Sequence, residues 1–588
     1  MKKFFISMLG AFTGTWLAFL LSGIFVFFVA IAMVSSLSVS VSTDIPDNSV
    51  LLLDLSGTVA DKPYNKSLQE LVNNPEAVDN SLQDILLAIK TASESDKIKG
   101  IVINCNNIST GWASSKAIRD ALSDFKQSKK WIYAYGHSIS QKDYYIASVA
   151  DKVYMNPVGM LDIHGLTSRS LFFKGLFDKL GVDVQIVRVG TYKSAVEPYS
   201  QTKMSDANRL QTQTYINNIW NEFCTSVAQS RHIEASTIKQ FADSLGMLSD
   251  PKLALSNKLI DQLCYEHEFE SIVKENLKLK EDKDISYVLP VELNNSPEYT
   301  PNVSSNKIAL LVAEGDIVVE GPETSIASAT LVPEIIKLAN DDEVKGLVLR
   351  VNSPGGSAYA SEQIWEALEF FKGKGKTLAV SMGDYAASGG YYISCGANRI
   401  FAEPNTITGS IGIFGMIPSI KGFVSGKLGV TSDVVSTTPN ADLSLMEPMT
   451  PFQREAMQNN VNRGYELFTS RCAKGRNIPL DTLKSIAEGR VWDGKEALRL
   501  KLVDEFGGID DAIQWVAKEE KIQNDYSVSL YPVFEEDLLN MIFKSVPVNA
   551  AAAQQPAQEL YLQETVDRIQ NILKQDKLQC RMDDIYIY

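Results

Sequence analysis

The stretch EVKGLVLRVNSPGG at residues 343–356 repeats, with changes, the earlier stretch KIKGIVINCNN at residues 97–107. Farther along, MGDYAASGGYYISCGANRIFAEPNT at residues 382–406 corresponds to YGHSISQKDYYIASVADKVYMNPVG at residues 135–159. Both correspondences occur in the same order along the chain, and the longer one includes a Tyr-Tyr pair in each copy. The sequence is therefore interpreted as a tandem duplication.

Each copy alternates short runs rich in Val, Ile and Leu with amphipathic helical segments. The first copy has a strand pattern at Val50–Leu55 before a helical pattern at Leu82–Ala92, and the second has Ile308–Val312 before Leu331–Ala339. Such alternation is typical of βα units around largely parallel sheets. The predicted fold class is α/β, and a chain of 588 residues is long enough for two such units with separate cores.

Shifts in composition predict where the repeats begin and end. A polar stretch at residues 278–306 contains three prolines and indicates a linker or surface excursion, with a boundary near residue 300. After about Glu535 an Ala-, Gln- and Pro-rich patch leads to one amphipathic helical segment near Leu560–Leu573. The predicted regions are an anchor at 1–43, a first repeat at 44–300, a second repeat at 301–535 and a C-terminal extension at 536–588, which has no assigned function.

The N-terminus has the features of a membrane anchor. Lys2 and Lys3 precede the stretch Phe4–Thr43, which contains no charged residue. Its apolar part, from Phe4 to about Val34, exceeds the roughly 20 residues that span a bilayer and the roughly 7–15 apolar residues of a cleaved signal peptide. It is interpreted as an uncleaved signal anchor. Because lysines favour the cytoplasmic side, the chain after Asp44 is expected on the outer side of the membrane.

Composition argues against several classes of function. The chain is 45% hydrophobic and 22% charged, as globular proteins are, and its net charge of -15 disfavours a nucleic-acid partner. No CxxC pair gives a zinc-like or thioredoxin-like spacing, and no ligand cluster suggests a metal or organic cofactor. The cysteines are interpreted as small buried apolar residues: Cys105, Cys224, Cys264, Cys395, Cys472 and Cys580.

A glycine turn occurs only in the second copy. Residues 352–357 read NSPGGS directly after a buried-looking strand, where residues 106–111 of the first copy read NNISTG. Adjacent glycines let backbone N–H groups point into open space, which an oxyanion hole requires. A tight turn without catalytic meaning is the alternative interpretation of Gly355 and Gly356.

Ser388 is the candidate nucleophile. It lies in GDYAASGG at residues 383–390, which follows a strand pattern at Thr377–Met382 and opens an apparent helix. There the hydroxyl would be accessible, and the N–H of Gly389 is placed to donate to a developing oxyanion. The alternative interpretation is a serine that only caps the helix. The matching residue in the first copy is Gln141, so that copy cannot perform the same nucleophilic reaction.

The candidate general base is Lys193, because the serine's own repeat contains no histidine. The four histidines lie in the first copy or just after it: His137, His164, His232 and His267. Lys193 lies in GTYKSAVEP after the mainly apolar strand pattern Val184–Val189, and the second copy has Leu443 near that place. A lysine in an apolar, poorly solvated site favours its neutral form and accepts a serine proton. Each copy therefore lacks the group that the other has, which favours Lys193 over an ordinary surface lysine.

At these residues the chain resembles the signal peptide peptidase A (protease IV) family in its long, duplicated, membrane-anchored form. The resemblance rests on GTYKSAVEPY around Lys193, RVNSPGGS around Gly355, GDYAASGGYYIS around Ser388 and ITGSIGIFG around Ser410. It implies tandem ClpP/crotonase-like repeats after a transmembrane helix, a Ser/Lys dyad assembled across the repeats, and cleavage of remnant signal peptides and other apolar peptides. It also implies a homotetramer on the outer (periplasmic) face of the bacterial cytoplasmic (inner) membrane, and no cofactor.

The resemblance assigns roles position by position. Ser388 matches the nucleophile, and Lys193 matches the general base. Gly389 and one glycine of the pair Gly355 and Gly356 match the oxyanion donors. Ser410 matches a serine that helps to place the lysine.

Two other functions are compatible with the sequence. A crotonase-like acyl-CoA enzyme would use the PGG turn and Gly389 to stabilise a thioester enolate, without any need for Ser388. A membrane scaffold would gather partners without catalysis. The predicted extracytoplasmic location argues against the first, and the intact serine and lysine segments argue against the second.

Overall fold

The computed structural model describes residues 14–16, 19, 21–22, 44–61, 81–531 and 578–582. Within these ranges, no helix combines the length and the hydropathy that crossing a bilayer requires. Most of the predicted anchor at 1–43 and all of the predicted helix near Leu560–Leu573 lie outside the described residues, so both stay predictions.

The first repeat is built on a six-stranded parallel sheet. The strands, in spatial order, are Gln262–Leu263, Lys152–Met155, Trp131–Gly136, Ile98–Cys105, Ser49–Leu55 and Tyr287–Val288. The strands Ser49–Leu55 and Ile98–Cys105 are buried along most of their length, as expected where helices cover a parallel sheet. The last strand lies inside the stretch 278–306, so this supposed linker in fact completes an edge of the first sheet.

The helices of the first repeat cover this sheet and connect its strands. Their bounds are Leu82–Glu94, Trp112–Phe125, Gln141–Ala147, Lys174–Leu180, Glu197–Ser200, Asp206–Arg231, Ala235–Asp243, Lys252–Ser256, Glu266–Asn276 and Pro290–Asn294. Single 3-10 turns occur at Lys126–Ser128 and Gly246–Leu248. The helix predicted at Leu82–Ala92 is confirmed and begins after a capping box formed by Ser81 and Asp84.

The second repeat contains an eight-stranded sheet. Its main path is Val491–Asp493, Ile407–Gly409, Thr377–Ala387, Val344–Ser353, Lys307–Glu314 and Ser527–Tyr531, with Arg399–Ala402 and Glu505–Phe506 branching from Thr377–Ala387. Only the pair formed by Ile407–Gly409 and Val491–Asp493 is antiparallel among its pairs. The helices are Ser328–Asn340, Ala358–Gly373, Gly389–Ser394, Pro451–Gly475, Leu480–Ile486, Gly494–Arg499 and Ile509–Glu519, with a π turn at Gly422–Lys427.

The duplication is visible in matching tertiary contacts. The Tyr144 hydroxyl donates to the carbonyl of Leu259 at 2.5 Å, and the Tyr391 hydroxyl donates to the carbonyl of Leu502 at 2.9 Å. Both tyrosines are fully buried. The same residue type therefore makes the same kind of bond in both copies.

A third sheet joins the two repeats. Its order is Ile326–Ala327, Ile317–Val318, Gly355–Ser357, Leu578–Arg581, Ile413–Ser419 and Asp183–Val189. The first-repeat strand Asp183–Val189 pairs antiparallel with the second-repeat strand Ile413–Ser419 along its whole length. The residues that follow Val189 therefore lie next to the second repeat.

Candidate active site

Ser388 occupies a sharp turn between the strand Thr377–Ala387 and the helix Gly389–Ser394. Its φ of 55° and ψ of -110° are costly for a residue with a side chain, and such strain occurs mainly at functional sites. The N–H of Ser388 donates to the carbonyl of Gly409 at 2.8 Å. Its hydroxyl makes no capping hydrogen bond to the helix. The alternative interpretation, a serine whose side chain only caps the helix, is therefore wrong.

The structure brings together three residues that the sequence analysis singled out. Lys193 Nζ lies 2.6 Å from Ser388 Oγ, 3.0 Å from the carbonyl oxygen of Ser410 and 3.1 Å from Ser410 Oγ. All three side chains are almost completely buried. A lysine from the first repeat thus contacts two serines of the second.

Contacts from both repeats hold the loop that carries Lys193. The N–H of Tyr192 donates to the carbonyl of Glu488 at 2.9 Å, and the Arg188 guanidinium donates to the carbonyl of Lys193 at 3.0 Å. A methyl group on Gly489 would lie 2.6 Å from Lys193 Cβ, which is too close for any residue but glycine. The loop is therefore seated directly against the backbone of the second repeat.

Glu197 fixes the chain just after the lysine, although the sequence analysis gave it no role. Its buried carboxylate accepts hydrogen bonds from the N–H of Ser205 at 3.1 Å, from Ser205 Oγ at 2.6 Å and from Asn208 Nδ2 at 3.0 Å. The position of Glu197 in GTYKSAVEP, four residues after Lys193, is the feature of the sequence that could have indicated a role for it.

Burial controls the charge of Lys193. Desolvation disfavours the ammonium ion and lowers the pKa of Lys193 from 10.5 to about 7. Its polar contacts are a carbonyl and two hydroxyls, and none of these carries a charge that would restore the ammonium form. A substantial fraction of the side chain is thus a neutral amine near pH 7, as a general base must be.

The predicted oxyanion glycines adopt conformations that favour glycine. Gly355 has φ 110° and Gly356 has φ 155°. The N–H of Gly355 donates to Ser353 Oγ at 3.1 Å. A methyl group on Gly355 would lie 2.8 Å from the nitrogen of Gly389, so the glycine turn and the residue after Ser388 are packed together.

Asp384, which had no predicted role, connects the turn that carries Ser388 to the first repeat. Asp384, four residues before Ser388, accepts hydrogen bonds from the N–H groups of Ala113 and Ser114 at 2.8 and 3.0 Å. These N–H groups belong to the first turn of the helix Trp112–Phe125. The position of Asp384 in GDYAASGG, close to Ser388, is the feature of the sequence that could have indicated a role for it.

A buried ion pair makes a second connection between the repeats. Arg350 Nε and Nη2 each lie 2.8 Å from Oδ1 of Asp61, which belongs to the first repeat. Arg350 Nη1 also donates to Ser381 Oγ and to the carbonyl of Met382. The strands that lead to Gly355 and to Ser388 are thereby tied to each other and to the first repeat.

The position equivalent to Ser388 has a structural role in the first repeat. Gln141 Oε1 accepts hydrogen bonds from the N–H groups of His164 and Gly165, and Nε2 donates to the carbonyl of Gly165. The His164 ring lies 2.5 Å from an Asp162 carboxylate oxygen. Leu443, which aligns near the place of Lys193 in the second copy, is exposed in a segment without helix or strand. The two copies have diverged at both positions.

The cysteines are free and buried, which confirms their interpretation as small apolar residues; they are Cys105, Cys224, Cys264, Cys395, Cys472 and Cys580.

Comparisons with known proteins show the family to which the chain belongs. The signature of peptidase family S49 matches residues 124–280 and 370–523, one stretch in each repeat, and that of Clp protease matches residues 301–408. Protease 4 of Salmonella typhi is 36% identical over 516 residues, which cover 84% of this chain and 82% of that protein.

Two further relatives extend the comparison. The chloroplastic serine protease SPPA of Arabidopsis thaliana is 28% identical over 491 residues, which cover 82% of this chain and 71% of that one. The putative signal peptide peptidase SppA of Enterococcus faecium is 32% identical over 226 residues, which cover 37% of this chain and 65% of that one. The chain therefore belongs to peptidase family S49, with a ClpP-like α/β fold, and is a serine peptidase of the signal peptide peptidase A type that its motifs predict.

Proposed function

We propose that the chain is an endopeptidase in which Ser388 is the nucleophile and Lys193 the general base. The observation that carries this proposal is the 2.6 Å contact between Lys193 Nζ and Ser388 Oγ in a buried site. That distance is within hydrogen-bond reach, as transfer of the serine proton requires. The hydrogen-bond partners of Lys193 Nζ in the described part of the chain are Ser388 and Ser410, and neither is a histidine.

The neutral amine of Lys193 takes the proton of Ser388 as the serine oxygen attacks a peptide carbonyl. Ser410 holds Nζ through its carbonyl and its hydroxyl, so the amine stays directed at Ser388. The lysine, now protonated, supplies a proton to the departing amine and later activates the water that hydrolyses the acyl-enzyme. Because the site is desolvated, the ammonium form of Lys193 is disfavoured, which helps the lysine to give its proton to the departing amine.

The oxyanion donors are Gly389 and, of the two candidates in the glycine turn, Gly356. The N–H of Gly355 is already bonded to Ser353 Oγ, which leaves Gly356 as the better donor. Backbone donors fixed before the reaction stabilise the developing negative charge without reorganisation.

The substrates that fit this site are extended, apolar peptides, above all remnant signal peptides. The segments Gly355–Ser357 and Ile413–Ser419 belong to one sheet, and both pair with the strand Leu578–Arg581 that lies between them. Their backbone groups are therefore suited to pair with an extended peptide. The uncharged stretch Phe4–Thr43 would hold the enzyme at the outer face of the cytoplasmic membrane, where signal peptides are left after cleavage. The resemblance to the family favours a homotetramer there.

The test uses the full-length chain in detergent, with a fluorophosphonate probe and a synthetic signal peptide. We expect the probe to label Ser388 by peptide mass mapping and the signal peptide to be cut internally. The matched control is Ser394→Ala, since Ser394 is a buried serine of the adjacent helix whose hydroxyl donates to Gly390. Labelling and cleavage that persist in Ser388→Ala would disprove the assignment of the nucleophile.

A further inference from the structure

A short segment of the second repeat, residues 488–492, is bonded to two parts of the site. The carbonyl of Glu488 accepts the N–H of Tyr192, the residue that precedes the candidate base. The carbonyl of Arg490 accepts the N–H of Ser410 at 2.7 Å. The segment is therefore attached both to the loop that carries the lysine and to the turn that holds the lysine amine.

The side chain of Arg490 lies over two aromatic rings, one from each repeat. Its guanidinium carbon is 4.9 Å from the centroid of the Tyr192 ring and 4.1 Å from the centroid of the Trp492 ring. Both distances are within the range of cation–π attraction, which strengthens where water is excluded. Trp492 is buried, so one side of this contact is shielded from solvent. Arg490 thus joins the side chain next to Lys193 to a strand of the second repeat.

No hydrogen bond holds Nε of Arg490 within the described residues, although this atom is buried. A buried donor without an acceptor is rare in folded proteins and calls for an explanation. A planar guanidinium stacks on aromatic faces, and contact with the two rings therefore accounts for the position of this side chain.

Gln211 fixes the backbone of the same two segments. Its Nε2 donates to the carbonyl of Tyr192 at 3.2 Å, and its Oε1 accepts the N–H of Val491 at 3.1 Å. The N–H, the carbonyl and the ring of Tyr192 are thus all held by other groups. The orientation of Tyr192 is therefore set, and the direction in which the next side chain leaves the backbone is set with it.

We propose that Arg490 is a positioning residue, which lies over Tyr192 and thereby keeps Lys193 Nζ directed at Ser388 in a buried site. This inference rests on the proposed function, since it treats Lys193 as the base. Arg490 is not among the hydrogen-bond partners of Lys193 Nζ, so it acts through Tyr192 and Ser410. Without the guanidinium the loop loses an attachment, water reaches the amine, and the base is held less accurately beside the serine oxygen.

The experiment measures kcat and KM across a range of pH for the full-length wild type and Arg490→Gln on one chromogenic apolar peptide. We expect kcat to fall by about ten- to a hundredfold, because a misplacement of about 1 Å has an effect of that size. KM should stay within about twofold of the wild-type value, since the base acts in the transition state and not in substrate binding. The acidic limb, expected at about pH 7 in the wild type, should move to higher pH, because a hydrated amine keeps its proton more readily.

Arg490→Lys separates stacking from charge, because loss of a nearby positive charge would by itself raise the pKa of Lys193. The lysine variant keeps the charge but lacks the planar group that stacks on the rings, so it should show the lower kcat and the shifted limb of Arg490→Gln. Among the described residues, the titratable group that acts on Lys193 is the Cys580 thiol. Burial raises the pKa of Cys580 to about 11, so this thiol stays protonated across the limb.

Arg471→Gln is the matched control. The Arg471 guanidinium carbon lies 4.0 Å from the centroid of the Trp365 ring, and this contact joins two helices of the second repeat and not the two repeats. Its loss should lower the midpoint of urea unfolding without changing kcat or the acidic limb.

A double-variant cycle tests the contact between the repeats directly. Tyr192→Leu removes the ring that the first repeat supplies, so it should lower kcat as Arg490→Gln does. Because both changes break the same contact, the combined variant should be no slower than either single variant. Multiplied effects in the combined variant would show that the two side chains act separately and would contradict the proposal.

Two further results would overturn the inference. One is a folded Arg490→Gln with the kcat and the acidic limb of the wild type, and the other is a change that Arg490→Lys does not share. Circular dichroism checks folding, and if Arg490→Gln does not fold, wild-type values in Arg490→Lys overturn the inference. If the wild type neither hydrolyses the peptide nor reacts with a fluorophosphonate at Ser388, the proposed function fails and the role of Arg490 fails with it. An active wild type tests the role of Arg490 alone.

Discussion

At the scale of single residues, burial of Lys193 couples the chemistry of the site to the stability of the fold. The pKa falls from 10.5 to about 7 because the amine is desolvated. The unfolded chain, where the lysine is in water, therefore binds a proton that the folded chain releases between these two pH values. The burial that favours a neutral amine at Lys193 is thus a source of instability at neutral pH.

The first prediction follows from this linkage. Between about pH 7 and pH 10.5 the unfolded state binds more protons at Lys193, so the wild type gains stability as pH rises, and Lys193→Met lacks this gain. The free-energy advantage of the methionine variant over the wild type should therefore shrink by up to about 1.4 kcal/mol for each rise of one in pH. Urea unfolding of the wild type and of Lys193→Met at pH 7, 8 and 9 measures this difference in the free energy of unfolding. Lys337→Met, at a side chain that is 72% exposed, should show no such trend.

The second prediction concerns the pH dependence of catalysis. Protonated Lys193 cannot accept the serine proton, so kcat/KM should fall as pH drops below about 7 and should level off above it. His164→Ala should keep the same acidic limb, because His164 lies beside Gln141 of the first repeat. If the limb disappeared in that variant, His164 would be the base.

The third prediction is that Ser388→Ala, Lys193→Ala and Lys193→Arg each reduce kcat by about three orders of magnitude or more, because nucleophile and base act as a unit. The arginine variant is informative, since its guanidinium stays protonated at every accessible pH. His164→Ala should keep most activity. Circular dichroism and size measurements establish that the variants fold; near-normal turnover by any folded dyad variant would remove the dyad.

At the scale of secondary-structure elements, the sequence predicted the strands that precede the candidate site residues Lys193, Gly355 and Ser388. The strand patterns at Val50–Leu55 and Ile308–Val312 were recognisable because parallel strands buried on both faces are continuously apolar. The strand Leu578–Arg581 was not predicted. Four residues with one arginine and one glutamine have no strand periodicity, and only pairing with distant segments makes them a strand.

The contact between Asp384 and the helix Trp112–Phe125 gives the fourth prediction. Asp384→Ala removes acceptors for two N–H groups in the first turn of that helix, which should cost about 1–2 kcal/mol and also lower kcat by displacing the turn that holds Ser388. Ser81→Ala is the matched control, since it removes a helix cap in the first repeat. It should lower stability to a similar extent without affecting kcat. Equal kcat values for both variants would mean that Asp384 has only a structural role.

At the scale of the whole molecule, the site exists only where the two repeats meet. Complementary loss between the copies identified Ser388 and Lys193, but no pattern indicated how the copies pack. The decisive features are long-range: the pairing of Asp183–Val189 with Ile413–Ser419, and the burial of second-repeat residues in the first core. Such contacts depend on tertiary structure, whereas the sequence patterns report only local periodicity.

The last prediction is that neither repeat has activity alone. Residues 44–300 contain Lys193 without the nucleophile, and residues 301–588 contain Ser388 and the glycines without the lysine. Separation also leaves Asp183–Val189 and Ile413–Ser419 as unpaired edges, which favours their reassociation.

The two fragments are expressed separately and together, checked by circular dichroism, and assayed on one chromogenic peptide. Each alone should be inactive, because a base that is not held beside the serine gives no proximity advantage. Co-expression should restore part of the turnover, and Lys193→Ala in the first fragment should abolish the restored activity. Serine-dependent hydrolysis by the second fragment alone would mean that its base is local, and Lys193 would then lose its assigned role.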